Sequence, residues 1–393
     1  MAVRTTRSAR SALVAWTGAL AAAAVASTAL VSPARAVPAG EDGRTGHRAT
    51  QRALDAAVEE GVPGAMARVR DRDGGWTGAA GVADLTTGRA RLPQDRYRVG
   101  SLTKTFVATV LLQLSAEGRI GLDDTVDAWL PGVVRGNGHD GRTVTVRQLL
   151  NHTSGIYNYT ADQEFRQKVA GDGFFEHRYD TWRPQRLVAL AMSHRPDFTP
   201  GASWNYSNTN YLLAGMIVEK VTGRSYATEI ERRILRPLRL RATSVPGTDA
   251  RMPRPSGRAY STLLDPDPAA ALHDVTEINP TVAGASGAMI SNSADLQRFY
   301  GALLTGELLP ERQLKEMMTT VPLGAQLPGY GYGLGLMRQK LPCGTEIWGH
   351  SGSIRGSASV AATTADGAHS LTFTFNSDAA GDTAKVVEAE FCG

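Results

Sequence analysis

Strand-forming segments gather at the two ends of this chain and helix-forming segments fill its middle, an arrangement that leaves few folds open. Near the start, residues 65–70 and 76–82 read as a hairpin turning at Asp73-Gly74-Gly75. Near the end, strands are predicted over 332–336, 345–348, 356–363 and 370–375, with a turn at Asp366-Gly367. Short turns between successive strands favour antiparallel pairing. One amphipathic helix precedes them (49–60, closed by Gly61 and Pro63) and another ends the chain (383–391). Predicted helices at 103–117, 146–151, 210–221, 226–235 and 294–304 occupy the middle. The expected architecture is α/β plus all-α. An antiparallel sheet built from 47–102 and 290–393 is flanked by the terminal helices, and a mostly helical domain (103–289) is inserted.

With 393 residues, 42% hydrophobic and 20% charged, the chain has enough apolar material for one large core or two modest ones. That balance excludes a disordered tail, a fibrous repeat or a small disulfide scaffold. The formal charge of +4 suggests an acidic partner until its location is considered. Residues 1–36 carry Arg4, Arg7, Arg10 and Arg35 and no acid, so the remainder holds 38 basic against 38 acidic residues. A neutral body gives no case for nucleic-acid binding. The same 36 residues have the parts of a secretory signal: an Arg-bearing start, an Ala-rich apolar stretch over 12–31, and Ala34-Arg35-Ala36 as a small-x-small cleavage site. Cleavage after Ala36 would release a secreted protein without a membrane anchor, beginning with a flexible polar lead-in at 37–46. An uncleaved anchor is the alternative, since the apolar run is long enough to span. In an oxidising compartment the only two cysteines, Cys343 and Cys392, are expected to form one disulfide.

Chemistry is suggested first by Ser101-Leu102-Thr103-Lys104, which precedes the apolar positions Phe106, Val107, Val110, Leu111 and Leu114. A serine at a helix start is an ordinary cap, but the residue three later should then be Glu or Gln, which suits the positive end of the helix dipole. Here it is lysine, in a chain with six lysines against 36 arginines. Burial and the helix end both disfavour the ammonium form, and a neutral amine one turn from a hydroxyl is what an activated serine nucleophile needs. A second cluster is Tyr206-Ser207-Asn208, whose first and third side chains project to one side of an extended turn. Such a phenol can shuttle a proton and such an amide can hold a substrate carbonyl, although taken alone the cluster reads better as an aromatic packing residue beside a helix cap. The third is His350-Ser351-Gly352-Ser353. Gly352 allows another backbone to approach closely, and the N–H groups of Ser353 and Ser101 can form an oxyanion hole.

In this order and at these separations, the three clusters resemble the serine beta-lactamase and penicillin-binding protein superfamily, with its Ser-x-x-Lys, Tyr-x-Asn and Lys-Thr-Gly or His-x-Gly motifs. The likeness runs over about residues 47–393. It takes in Leu149-Leu150-Asn151-His152-Thr153-Ser154-Gly155, the glycine- and tyrosine-rich segment at 329–336 and the terminal cysteine pair. The His-Ser-Gly variant is similar to secreted D-alanyl-D-alanine carboxypeptidases of the class C type and to D-aminopeptidase relatives. The resemblance implies a beta-lactamase/transpeptidase-like fold and a serine DD-carboxypeptidase acting on peptidoglycan stem peptides or other D-amino-acid peptides and acylated by beta-lactams. A D-aminopeptidase, an esterase, a weak beta-lactamase or a non-enzymatic penicillin sensor are the alternatives. It further implies Ser101 as nucleophile, Lys104 as its activator, Tyr206 as proton shuttle, Asn208 as substrate-amide ligand, His350 as electrostatic partner of the phenol, and a monomer.

No cofactor or metal is expected. Gly331-Tyr332-Gly333-Leu334-Gly335 lacks the βαβ surroundings of a dinucleotide loop, and His152 and His177 have no partner at metal-ligand spacing. Tyr157, Tyr159, Phe174 and Phe175 fit a cleft wall or a core equally. One departure from the carboxypeptidases matters. Their carboxylate-reading arginine follows Gly-Tyr-Gly-Leu-Gly-Leu directly, whereas here Met337 stands there and the arginine is Arg338. A one-residue shift reverses the face of a regular strand. The reader would then be Arg338 re-aimed by a bulge, or Arg355, or no cation at all.

Overall fold

A computed structural model describes residues 46–393 apart from 268 and 325–326. The expected signal segment and nearly all of the lead-in lie outside the described residues.

The two ends of the chain meet in one antiparallel sheet. Its eight strands run, in spatial order, Gly74–Gly81, Gly64–Asp71, Ser370–Phe375, Ser357–Thr364, Glu346–Ile354, Met337–Lys340, Tyr330–Tyr332 and Val321–Pro322. The closing pair joins the N-terminal hairpin to the last strand, with Ala65 opposite Phe375 and Arg70 opposite Ser370. The hairpin turns at Arg72-Asp73, one residue earlier than expected, because the Asp71 carboxylate accepts from the N–H groups of Asp73 and Gly74 and fixes the turn there.

Alternation along these strands sorts side chains to two faces. One face (Ala65, Ala67, Val69, Val360, Phe373, Phe375) packs with Leu54 and Ala57 of helix Arg48–Glu59 and with Val386 and Val387 of helix Thr383–Phe391. The opposite face, with Met66, Trp348 and Ala361, joins the large core under the helical part. Cys343 and Cys392 are bonded, with their Cα atoms 5.7 Å apart, and tie the chain end to the turn before the central strand Glu346–Ile354.

Three expectations are corrected. The strand predicted at 332–336 is a short strand, Tyr330–Tyr332, followed by a turn. Gly335 adopts φ +73°, the N–H of Leu334 is bonded to Met317 and that of Gly335 to Leu150, so the segment satisfies helix ends instead of a strand neighbour. The chain then resumes as Met337–Lys340 in the sheet. The helix expected over 226–235 is α-helical only for Tyr226–Ile230 and widens to a π-turn at Glu231–Leu235. Helices Gln163–Ala170, Phe174–His177, Pro184–Met192 and Glu311–Met318 were not anticipated.

Helix Thr103–Ala116 runs through the large core and is buried on nearly every side, which explains its apolar composition all round. It follows a 3-10 turn, Gly100–Leu102, that leaves the short strand Tyr97–Arg98. The end of the central strand lies against this turn. A Cβ on Gly352 would overlap the carbonyl oxygen of Val99, and one on Gly100, at φ +52°, would sit 2.8 Å from Ser353 N. Both glycines are therefore required by close backbone approach.

Candidate active site

Ser101 lies in the 3-10 turn and Lys104 in the first turn of the helix, so one local geometry sets their relation. Neighbouring elements hold this turn in place. Ser357 Oγ donates to the Arg98 carbonyl at 2.8 Å, Ser359 Oγ to the Val99 carbonyl at 3.2 Å, and Thr103 Oγ1 to the Gly100 carbonyl at 2.7 Å. The backbone that approaches Gly352 is thus the Ser101 turn of this chain.

The Lys104 amine is fully buried. Nζ lies 2.7 Å from Asn208 Oδ1, 2.8 Å from the Ser286 carbonyl and 3.1 Å from Ser101 Oγ. No carboxylate pairs with it among the described residues, and burial drives its pKa well below the usual lysine value. A neutral amine has two N–H donors and one lone pair. Its two acceptor neighbours, Asn208 and Ser286, take the two N–H groups. The lone pair is left for the Ser101 O–H, which then donates to Nζ. Three acceptors would serve an ammonium as well, so it is burial without a carboxylate that favours the base form.

Tyr206 stands over this group, its ring centroid 4.7 Å from Nζ. Its hydroxyl is buried with no hydrogen-bond partner among the described residues. Burial pushes the phenol pKa up, and Ser101 is the neighbour that pulls it back. The phenol therefore keeps its proton in the resting enzyme. Asn208 begins helix Asn208–Thr222 and is committed on both sides of its amide: Oδ1 accepts from Lys104 and Nδ2 donates to Thr160 Oγ1 at 3.1 Å. It holds the lysine, a role beyond the substrate contact expected of it.

His350 is buried in the central strand, 3% exposed, and its ring centroid is 6.4 Å from that of Tyr206. Its hydrogen bonds go elsewhere. His152 Nδ1 accepts from the Ser207 N–H at 3.2 Å, so its proton sits on Nε2, which donates to Tyr332 Oη at 3.2 Å. Tyr332 Oη in turn donates to His350 Nε2 at 2.8 Å, and His350 Nδ1–H donates to the Ser351 carbonyl at 2.5 Å. This directional chain works only with both imidazoles neutral. Burial is the main cause: His350 is pushed down to about 3, and His152 falls well below the ordinary histidine range.

The carboxylate-reader candidates are both occupied. Arg338 sits opposite Trp348 in regular register, without a bulge, and pairs with Glu346 at 3.5 Å. Arg355 pairs with Asp378 at 2.7 Å. Ser351 and Ser353 lie at the solvent-facing end of the central strand. Tyr159 and Phe174 are core residues, Tyr157 stacks on His194 with 4.0 Å between ring centroids, and Phe175 is largely exposed.

Sequence reasoning missed Ser286, Tyr332 and His152 as parts of the site. Ser286 acts through its carbonyl, which leaves no side-chain signature. His152 had one: a histidine between Asn151 and Thr153-Ser154-Gly155, here held at φ +62°, a conformation that favours glycine and that a bulky residue keeps only when fixed by its surroundings.

Residues 48–389 match the protein-family model described as Beta-lactamase. The chain belongs to the beta-lactamase family. Among solved structures, it is similar to a D-stereospecific amidohydrolase from Streptomyces sp., with 64% sequence identity, a TM-score of 0.84, and coverage of 88% of this chain and 99% of that one. It is also similar to the D-amino acid amidase of Ochrobactrum anthropi SV3 complexed with L-phenylalanine, at 28% identity and a TM-score of 0.74, covering 87% and 96%. A penicillin-binding protein of Bacillus subtilis (strain 168) is 29% identical over 290 residues, 69% of this chain and 58% of that protein, so the match spans well under two thirds of the relative's length. The fold is the beta-lactamase/transpeptidase-like one, and the protein is a serine hydrolase of this family, related to penicillin-binding proteins and D-amino acid amidases.

Proposed function

We propose that this chain is an exported D-stereospecific amidohydrolase, which cleaves the amide bond that follows a D-amino acyl group through an acyl-enzyme on Ser101. The observation that carries this reading over a carboxypeptidase is the pairing of Arg355 with the buried Asp378 at 2.7 Å, with Arg338 facing the exposed Glu346 at 3.5 Å. A free terminal carboxylate needs an unpaired cation, and an arginine already held by a carboxylate is a poor one. The likeness to the Streptomyces D-stereospecific amidohydrolase points the same way. Export rests on the composition of residues 1–36 alone.

In this reading Lys104, as a neutral amine, takes the Ser101 proton while Oγ attacks the substrate carbonyl. The Ser101 and Ser353 N–H groups receive the developing oxyanion. The Tyr206 phenol, protonated at rest, donates to the departing nitrogen and recovers a proton from Lys104. Water then releases the acid by the reverse path. The DD-carboxypeptidase reading shares every one of these steps and differs only in the carboxylate contact.

Comparing kcat/KM for D-phenylalanine amide, L-phenylalanine amide and a peptide ending in free D-Ala-D-Ala, against the C-terminal amide of that peptide, tests this. Preference for the D-amide, and no preference for the free acid over its amide, is expected. A free-acid preference that Arg338→Ala or Arg355→Ala erases would overturn it in favour of the carboxypeptidase. Separately, benzylpenicillin should add its mass to the wild type and leave Ser101→Ala unmodified.

A further inference from the structure

Away from Ser101, a cavity of about 20 Å³ lies among strand Tyr97–Arg98, the 252–259 segment and the turn at Gly356. It has room for one particle the size of a water or a small ion. Arg91 and Arg98 line it, 6% and 4% exposed, and Arg96 contributes beside them. Among the described residues none of the three arginines makes a direct ion pair; Asp95 acts on Arg91 and Asp249 and Glu277 on Arg98 from farther off, and Arg96 and Arg98 each donate one bond, to the Arg254 and Ala250 carbonyls. The other arginines of the wall are paired directly: Arg258 with Asp274 and Arg355 with Asp378.

Five buried guanidinium nitrogens have no hydrogen-bond partner: Nε and Nη2 of Arg91, Nε of Arg96, and Nε and Nη1 of Arg98. The one buried acceptor of the wall left without a donor is Asn376 Oδ1. Burial lowers Arg91 and Arg98 to about 10, which leaves both charged at neutral pH. Unpaired buried charge is strongly unfavourable, and arginine cannot escape it by losing its proton. A water molecule fits poorly, because it brings two donors to a wall already dominated by donors. An acceptor-only particle fits, and the narrow space favours a small one over sulfate, phosphate or an organic acid. We propose that this cavity binds one small monovalent anion, chloride in a chloride medium, clamped by Arg91, Arg96 and Arg98. The ion would brace the segment leading into the nucleophile turn, since the Arg98 carbonyl is the group held by Ser357 Oγ.

Thermal unfolding of the purified protein in sodium chloride and in sodium gluconate at equal ionic strength tests the site. An anion that binds only the folded form should raise the midpoint by about 2 °C or more in chloride, saturating with concentration. Asn376→Asp places a fixed carboxylate in the cavity wall and should remove that chloride dependence. Arg91→Met should do the same and serves if the first variant fails to fold. A crystal soaked in bromide should show an anomalous peak in the cavity. Equal midpoints in the two salts, a chloride effect that persists in both variants, or a cavity holding water alone would each overturn the proposal.

Discussion

Lys104 and Arg98 are six residues apart and both are buried, yet the protein accommodates the two basic groups in opposite ways. Around Lys104 there are two acceptors and one hydroxyl and no carboxylate among the described residues, a set that leaves a desolvated amine free to be neutral. Arg98 Nη2 reaches the Ala250 carbonyl at 2.7 Å, but among the described residues two nitrogens each of Arg91 and Arg98 are left without an acceptor, a set that an anion would complete. The difference follows from the side chains themselves. Lysine sheds its proton when desolvated and becomes a base, whereas the guanidinium stays charged and must find an opposite charge. Burial thus favours a base at one position and an opposite charge at the other.

Exchanging the two chemistries should break the comparison most severely. Lys104→Arg puts a permanent charge where a neutral amine stands and removes the base, and kcat/KM should fall by about a thousandfold or more with the fold retained. A variant within tenfold of wild type would show that a neutral amine is not required. Lys104→Met and Tyr206→Phe should each be comparably damaging, and their combination little worse than the worse single variant, because the two groups move one proton between them.

A subtler change sharpens the same point. Asn208→Asp sets a carboxylate where an amide oxygen now touches Nζ, which favours the ammonium form. The acid limb of the kcat/KM profile should move up by about one pH unit or more, with activity recovering in alkali. An unmoved limb would place the titrating group elsewhere.

The two neutral histidines extend the contrast to stability. A histidine at about 3 in the folded state and about 6.5 when unfolded lets the unfolded chain bind more protons between those values. Stability should therefore fall as pH drops from about 6.5 toward 3. In His350→Gln, urea midpoints measured over that window should fall less steeply. A slope equal to that of wild type would contradict a neutral buried His350. The smallest effect is expected at the other cluster: Arg91→Lys installs a group able to discharge, so chloride dependence should weaken while kcat/KM stays unchanged.

What the sequence revealed follows the range of the interactions involved. Strand Ser370–Phe375 and helix Thr383–Phe391 were legible residue by residue, because periodicity and turn residues are local signals. The pairing of both chain ends in one sheet followed from the order of the elements. Segment 333–336 was misread because its backbone bonds are made to Met317 and Leu150, partners far along the chain that no local pattern records. In the site, Ser101 and Lys104 stood out through a misplaced charge at a helix start. The group completing the lysine's shell is the Ser286 carbonyl, which any residue type can supply. The histidine–tyrosine–histidine chain was equally hidden, since it is assembled from three separate loops and strands and becomes visible only as hydrogen-bond direction.

The neutral amine of Lys104 is the claim on which the rest depends, and the scarcity of lysine makes it directly measurable. Carbon-13 labelling of the six lysine Cε positions, followed by NMR across the pH range at which the fold persists, resolves each titration. One resonance should titrate far below the others, or remain in the neutral form throughout, and it should be missing from Lys104→Met. If all the lysines of the folded enzyme, the one lost in Lys104→Met included, titrate near the ordinary value of about 10.4, Lys104 is an ammonium at rest and the assignment of the base is wrong.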